Sequence, residues 1–356
     1  MAIKLTPGNL YFIRDIDYLT GEISKYVKIG IVTKDRTTET RLKEHQTGNP
    51  RGIYPVDEVV LVPFVERLET HIHYEFNERW ISGEWFLLSD KEIETVVERA
   101  KEIQAQQIID KPIIENALLK LHKSVSNGKM KKATKEAKDL EAQILILKAE
   151  LNILDAKIEI SKNSFYKLLG ANGSIDKVLN IKYTPSSLKF DEKAFAAAHP
   201  ALFTKFTLPR DPSFKHTFSF TNISSTSLKT IDPTLHAAKS AIIKIKCTKA
   251  QLKGVQKRTK AIEKMHAEHL ILMKDSKLKE FELEILEYRL QKLVGTYDGI
   301  DGICTWKRYY APQTDAFNAS AFKEKHPNLY EAFVTKPSSE SFAMEVEKGR
   351  AYKPKK

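Results

Sequence analysis

Hydrophobic and polar positions divide this chain into three regimes. Up to about residue 97, short β-rich runs alternate with turn-formers and amphipathic stretches. Leu10-Tyr11-Phe12-Ile13 and Tyr26-Val27-Lys28-Ile29-Gly30-Ile31-Val32 flank a turn from Asp15 to Glu22, which predicts a β-hairpin. Thr37 to His45 reads as a helix, and Val56 to Phe64 as a third strand. Glu66 to Arg79 reads as a second helix, Gly83-Glu84-Trp85-Phe86 opens a short extended piece, and Ser89 suits the N-cap of a helix over Asp90 to Gln107. The prediction for residues 1–100 is a small antiparallel sheet flanked by helices, within an α+β chain.

From residue 101 to 165 the pattern turns helical. Leu140, Ile144, Leu147, Leu151, Leu154 and Ile158 alternate spacings of four and three, a heptad seam of nearly three repeats. An intramolecular helical hairpin and a dimeric coiled coil both fit it.

The rest of the chain, more than half of it, is repetitive. Leu168-Leu169-Gly170-Ala171-Asn172-Gly173-Ser174-Ile175-Asp176 matches Leu293-Val294-Gly295-Thr296-Tyr297-Asp298-Gly299-Ile300-Asp301 at an offset of 125. Phe195 to Phe203 matches Phe322 to Tyr330 at an offset of 127, and both stretches contain His-Pro. Two repeated α/β units are therefore expected at 166–235 and 294–356, with a long helix or coiled coil over 236–293 between them and a helical pattern over 136–169 before the first. The His-Pro dipeptides read as helix ends, not as catalytic histidines.

Composition narrows the class of protein. No apolar run approaches the ~18 residues of a membrane span. The first residues lack the basic-then-apolar pattern of a secretory signal, and Cys247 and Cys304 are too few for a disulfide framework or a structural zinc site. A soluble, cytoplasmic chain is expected, of a bacterium or a phage-infected cell. Charge is unevenly placed. The chain carries 58 Lys and Arg against 46 Asp and Glu. Its first hundred residues hold 13 basic and 17 acidic groups, so the other 256 carry a net +16. An acidic head on a basic body points to a polyanionic partner for the body.

The head holds the parts that phosphodiester cleavage needs. Tyr11 and Lys28 sit on neighbouring predicted strands. Arg41 and His45 share one helix face, as do Glu69 and His73. A phenol or amine can move a proton, a guanidinium can grip a phosphate, and a carboxylate can hold a divalent ion. Singly, each residue has an ordinary structural use.

Their order and spacing resemble the GIY-YIG endonuclease domain over about residues 8 to 97. The two signature strands appear as Asn9-Leu10-Tyr11-Phe12-Ile13 and Val27-Lys28-Ile29-Gly30, and the helix arginine as Thr40-Arg41-Leu42-Lys43-Glu44-His45. Gln46-Thr47-Gly48-Asn49-Pro50, Glu69-Thr70-His71-Ile72-His73-Tyr74-Glu75-Phe76, Arg79 and Gly83 to Ser89 are similar to a branch found in phage and bacterial proteins. That branch commonly has lysine where other relatives have the second tyrosine, as Lys28 here. The resemblance implies one divalent ion, Mg²⁺ or Mn²⁺, held by Glu69. It implies Tyr11 as the residue that orients or deprotonates the attacking water, Arg41 as the group neutralising phosphate charge, and His45 as an aid to proton transfer. The base stays open between Tyr11 and Lys28. Tyr26, His73 and Glu84 are candidate accessory residues.

A small nuclease domain has limited surface for recognition, so the basic body is the candidate DNA-binding and dimerising region. Lys131, Lys132, Lys257 and Arg258 lie in its cationic clusters. In Trp306-Lys307-Arg308-Tyr309-Tyr310, Lys307 and Arg308 interleave with aromatics, as phosphate grip and base stacking require. The repeat unit also resembles a small module of phage-type nucleases and recombinases, a likeness that carries no chemistry. The expected protein is a metal-dependent endonuclease on double-stranded DNA, a homodimer through its coiled coil, encoded by a phage or serving phage defence or restriction. The alternatives are a nucleic-acid-binding or scaffold protein with an inactive nuclease domain, and a nuclease acting on RNA.

Overall fold

The computed structural model describes residues 3–33, 36–47, 49–242 and 248–352. Gly48 and Cys247, each part of the sequence argument, lie outside them. The chain is α+β, as its pattern predicts.

Strands β1 (Gly8–Ile16) and β2 (Ile23–Thr33) form the expected hairpin. They are followed by α1 (Thr38–Gln46), β3 (Gly52–Val62), α2 (Val65–Glu75), β4 (Trp80–Ser82) and β5 (Trp85–Leu87). The five strands are ordered β3-β1-β2-β5-β4, and every pairing is antiparallel. Strand alternation sends Leu10, Phe12, Val27 and Ile29 to one face, where they pack with Leu68 and Ile72 of α2. Tyr11, Ile13 and Val32 go to the other face, where Leu42 of α1 and Ile53 cover them.

Helix α3 (Asp90–Leu119) starts at Ser89 in a capping box with Glu92 and runs twelve residues beyond the expected Gln107, through Pro112. It carries the chain out of the head. Ile114 and Ala117 near its end pack with Ile3, Phe64 and Tyr288.

The body is two interlocked copies of one unit. The first contains α4 (Lys135–Leu169), β6 (Ser174–Ile175), β7 (Leu179–Thr184), β8 (Leu188–Lys189), α5 (Glu192–Ala198), α6 (Pro200–Phe206), β9 (Thr207–Pro209) and β10 (Phe214–Phe220). Short helices α7 (Leu228–Ile231) and α8 (Pro233–Ser240) lead to β11 (Val255–Gln256). The second unit contains α9 (Lys260–Val294), β12 (Gly299–Ile300), β13 (Cys304–Tyr310), β14 (Asp315–Phe317), α10 (Ala319–Lys325), α11 (Pro327–Ala332), β15 (Lys336–Pro337) and β16 (Ser341–Val346).

A long helix opens each unit, followed by a glycine turn. Each helix has 35 residues. Each is N-capped by a threonine, Thr134 or Thr259. Each ends at a glycine with positive φ, Gly170 at 55° or Gly295 at 64°, a conformation that costs other residues a Cβ clash. The continuous helix expected over 236–293 is thus corrected: α9 begins only at Lys260, after β11. Strands exchange between units, β7 with β16 and β10 with β13, both antiparallel.

The heptad seam is spent within the chain. Leu140, Ile144 and Leu147 of α4 are buried with Leu286, Leu290 and Val294 of α9. Phe165 and Leu169 at the far end of α4 pack with Ile262 at the start of α9, so the two helices run antiparallel. Lys148–Glu287 and Lys279–Glu150 ion pairs, each 2.7 Å, flank the seam. Of the two arrangements the heptads allow, the structure shows the intramolecular one, with Leu140, Ile144 and Leu147 covered by α9.

Head and body touch directly. Arg67 of α2 pairs with Glu284 and donates to the carbonyl of Phe281, both on α9. Asn77 donates to the Leu270 carbonyl at 2.7 Å, and the Arg350 N–H to the Trp80 carbonyl at 2.7 Å. No helix among the described residues is long and apolar enough to cross a membrane.

Candidate active site

The site is built on the sheet face that carries Tyr11. Tyr11 of β1 lies opposite Gly30 of β2 in the ladder. A Cβ at Gly30 would stand 2.5 Å from Tyr11 Oη and 2.7 Å from Cζ, so the ring occupies the space that glycine leaves. Tyr11 is buried to 1% exposure, and its Oη lies 2.9 Å from Nε2 of His45. Burial raises the phenol's pKa, while a hydrogen bond from Arg41 works against the rise. Burial, followed by the charges of Lys28 and Arg41, lowers the pKa of His45. The imidazole is therefore held neutral near pH 7, with a ring nitrogen free to accept a proton.

Helix α1 is short, polar and without a buried residue, so side chains around it set its position. Thr37 caps it by accepting from the Thr40 N–H. Thr38 and Asn9 both donate to Glu58 of β3, tying α1 and β1 together. Gln46 organises the loop that follows. Its amide donates to the Asn49 and Arg51 carbonyls at 3.2 and 3.0 Å, and its Oε1 accepts from the Ile53 N–H at 2.8 Å. Arg41 pairs with Glu44 at 2.7 Å on the exposed side and reaches Tyr11 on the other.

Lys28 lies two residues before Gly30 on the same face, buried, with its ammonium paired to the Glu84 carboxylate. The Glu84 backbone is fixed as well, since its carbonyl accepts from the Ile29 N–H at 2.9 Å. Glu69 reaches this group from α2. Its charge and that of Glu84 both act on Tyr11, and the charges of Glu84 and Lys28 act on Glu69. Glu69 is half-buried and makes no hydrogen bond or ion pair among the described residues. Burial, reinforced by Glu84 and opposed by Lys28, pushes its carboxyl up to about 7.

Tyr11, Lys28, Arg41, His45, Glu69 and Glu84 thus converge. Tyr26 lies on the same face as Lys28 but is 42% exposed at the rim. His73 is corrected from accessory residue to core residue. It is buried between Trp80 and Phe86, Nε2 is 3.0 Å from the Ile29 carbonyl, and burial lowers its pKa to about 4. Sequence reasoning missed Glu58 and gave Gln46 no individual role. For Gln46 the signal was its place at the start of a breaker-rich loop; Glu58 gave none.

The cationic candidates in the body separate sharply. Arg308 is fully buried, and its guanidinium donates to the carbonyls of Leu121, Gly295, Thr296 and Tyr297. It closes the C-terminal end of α9 and is corrected from a DNA contact to a structural cation. Trp306 beneath it is equally buried. Arg258 is held by Asp176 and Glu263, each at 2.7 Å, and lies over Tyr352. Lys131 donates to the Leu293 carbonyl at 2.7 Å. Lys132, Lys257 and Lys307 are exposed.

Residues 8–101 match the T5orf172 domain, a domain of nuclease-associated type. The match covers the whole site and about a quarter of the chain. No curated protein and no solved structure matches.

Proposed function

We propose that this chain is an endonuclease that hydrolyses phosphodiester bonds of double-stranded DNA at the Tyr11–His45–Glu69 site, in the manner of GIY-YIG enzymes. The observation that carries the reading is the convergence around Tyr11 of a proton-transferring pair, a phosphate-gripping guanidinium and a carboxylate that has no hydrogen-bond or ion-pair partner among the described residues.

The residues fit a divalent ion of the hard, oxygen-preferring kind. Glu69 offers a half-buried carboxylate with no hydrogen-bond or ion-pair partner among the described residues, and burial makes its bare charge costly. No cluster of three or more His, Cys, Asp or Glu ligands exists among the described residues. A single carboxylate suits Mg²⁺, which keeps most of its waters. Bound at Glu69, the ion would supply charge stabilisation at the scissile phosphate and the leaving oxygen.

The chain's own groups move the proton. In the tautomer with its proton on Nδ1, His45 accepts from the Tyr11 hydroxyl through Nε2. As the Tyr11 oxygen takes a proton from the attacking water, its own proton passes to His45. The phenol therefore never needs to exist as free phenolate, which suits its raised pKa. Lys28 acts as a charged donor, because its ammonium is already paired with Glu84; this favours Tyr11 over Lys28 in accepting the proton. Arg41 stands beside Tyr11 and neutralises charge on the phosphate as the fifth bond forms.

The test is nicking of plasmid DNA by the full-length chain in Mg²⁺ and in EDTA, with Arg41→Ala beside it. Mg²⁺-dependent nicking, lost in the variant, supports the reading. Nicking unchanged by EDTA would reject the metal.

A further inference from the structure

The two interlocked units form the same pair of exchanged strands twice, and the outward faces of the two pairs differ in charge. In the β7–β16 pair, Lys182 faces solvent across from Ala343, and its ammonium is tied to Glu345 at 3.5 Å. Asn180, Thr184 and Ser341 complete that face, which is neutral. In the β10–β13 pair the equivalent positions are Lys215, Thr217, Ser219, Thr305, Lys307 and Tyr309. All six are exposed. Neither β10 nor β13 contains an Asp or Glu, and neither Lys215 nor Lys307 has an ion-pair partner among the described residues.

The register makes this face continuous. Lys215 pairs with Tyr309, Thr217 with Lys307 and Ser219 with Thr305. Directly opposed side chains in an antiparallel ladder lie about 4.5–5.5 Å apart at Cβ, so cations and hydroxyls form a single donor surface. The inward face of the same strands buries Phe220, Cys304, Trp306 and the structural Arg308. The two copies share their antiparallel strand pairing. Their outward faces keep only the lysine in common, and the charge differs through Lys215 in place of Ser341 and Ser219 in place of Glu345.

We infer that the outward face of the β10–β13 pair is a docking surface for the sugar-phosphate backbone of double-stranded nucleic acid. Two unneutralised ammoniums match a row of phosphates, hydroxyls donate to phosphate oxygens, and the face has no carboxylate to repel them. Nothing on it selects a base edge, so it contributes affinity and orientation without sequence preference. The β7–β16 face, with its lysine spent on Glu345, is the built-in control. This inference rests on the nuclease reading for its ligand, and it places recognition on the body, apart from the catalytic sheet.

The test is equilibrium binding of the full-length chain to fluorescent duplex DNA in EDTA, across a salt series. Lys215→Ala/Lys307→Ala is compared with wild type and with Lys182→Ala, and thermal melting confirms that each variant is folded. The double variant is expected to bind about tenfold or more weaker, with a log–log salt slope shallower by about two. Lys182→Ala should bind as wild type does. Wild-type affinity and slope in the double variant would overturn the inference, as would an equal loss in Lys182→Ala. If the wild type cuts DNA but the double variant binds unchanged, the docking surface fails and the nuclease reading stands. If the wild type neither binds nor cuts, both fail.

Discussion

The hydroxyl of Tyr11 and Nε2 of His45 lie 2.9 Å apart, joining β1 to α1 across the face of the candidate site. Either residue alone is common on a protein surface. In the proposed mechanism the two act as a relay, in which the phenol passes on a proton it does not have to lose outright. Tyr11→Phe and His45→Ala should therefore each slow cleavage about 100- to 1,000-fold. The double variant should be little slower than either single one, because the two act as a unit. Multiplying losses, measured under single-turnover conditions, would show that they act separately.

Gly30 is the second support of that relay. Gly30→Ala places a methyl 2.5 Å from Tyr11 Oη, and the ring must move away from His45. We expect a folded protein destabilised by about 1–3 kcal/mol with cleavage reduced at least about 100-fold. A melting curve and a cleavage rate on the same sample check both. Wild-type activity in Gly30→Ala would show that the position of the ring does not matter.

Stability should depend on pH through histidines of the body. His266 is fully buried, with Nε2 2.7 Å from the Glu347 carbonyl, and His269 is buried against Ser161; burial lowers both to about 4. The unfolded chain takes up these protons near pH 6.5, whereas the folded chain resists them until about pH 4. The stabilising contribution is therefore complete above pH 6.5 and is withdrawn as pH falls toward 4, by up to about 3 kcal/mol for each histidine. Denaturant melts from pH 7.5 to 4.5 should show this decline, and His269→Gln should flatten it. An equal decline in the variant would assign the effect to other groups.

The seam between α4 and α9 belongs to one chain, and its loss should read as unfolding. Ile144 is completely buried. Ile144→Ala should cost about 2–5 kcal/mol, with a melting temperature that does not change with protein concentration. A concentration-dependent melt would instead point to a seam shared between chains.

Much of this was legible in the sequence, and the failures have local causes. The head was readable because its elements are short-range. The Tyr11 hairpin, the α1 face and the Ser89 cap each depend on residues within a few positions of one another. The convergence of Glu69, Glu84 and Lys28 was legible through family spacing alone, since three separate elements bring them together. Arg308 was misread because its partners, the carbonyls of the turn that follows α9, come into place only when that helix is packed. Strand parity held the clue: Cys304, Trp306 and Arg308 alternate on one face, and the first two are apolar. The start of α9 was misplaced for a related reason. Thr259 stands 125 residues after Thr134, the offset of the repeat itself, and carrying the repeat backward through the helices would have located both caps.

The central claim is that Glu69 serves hydrolysis and not folding or DNA affinity. Its most direct test is cleavage of labelled duplex DNA in Mg²⁺ by wild type and Glu69→Ala, with binding of the same duplex measured in parallel. The account predicts cutting by the wild type, a loss of at least about 100-fold in Glu69→Ala, and equal DNA affinity for the two. Cutting at the wild-type rate by Glu69→Ala, or a wild type that binds the duplex and never cuts it in any divalent ion, would contradict it.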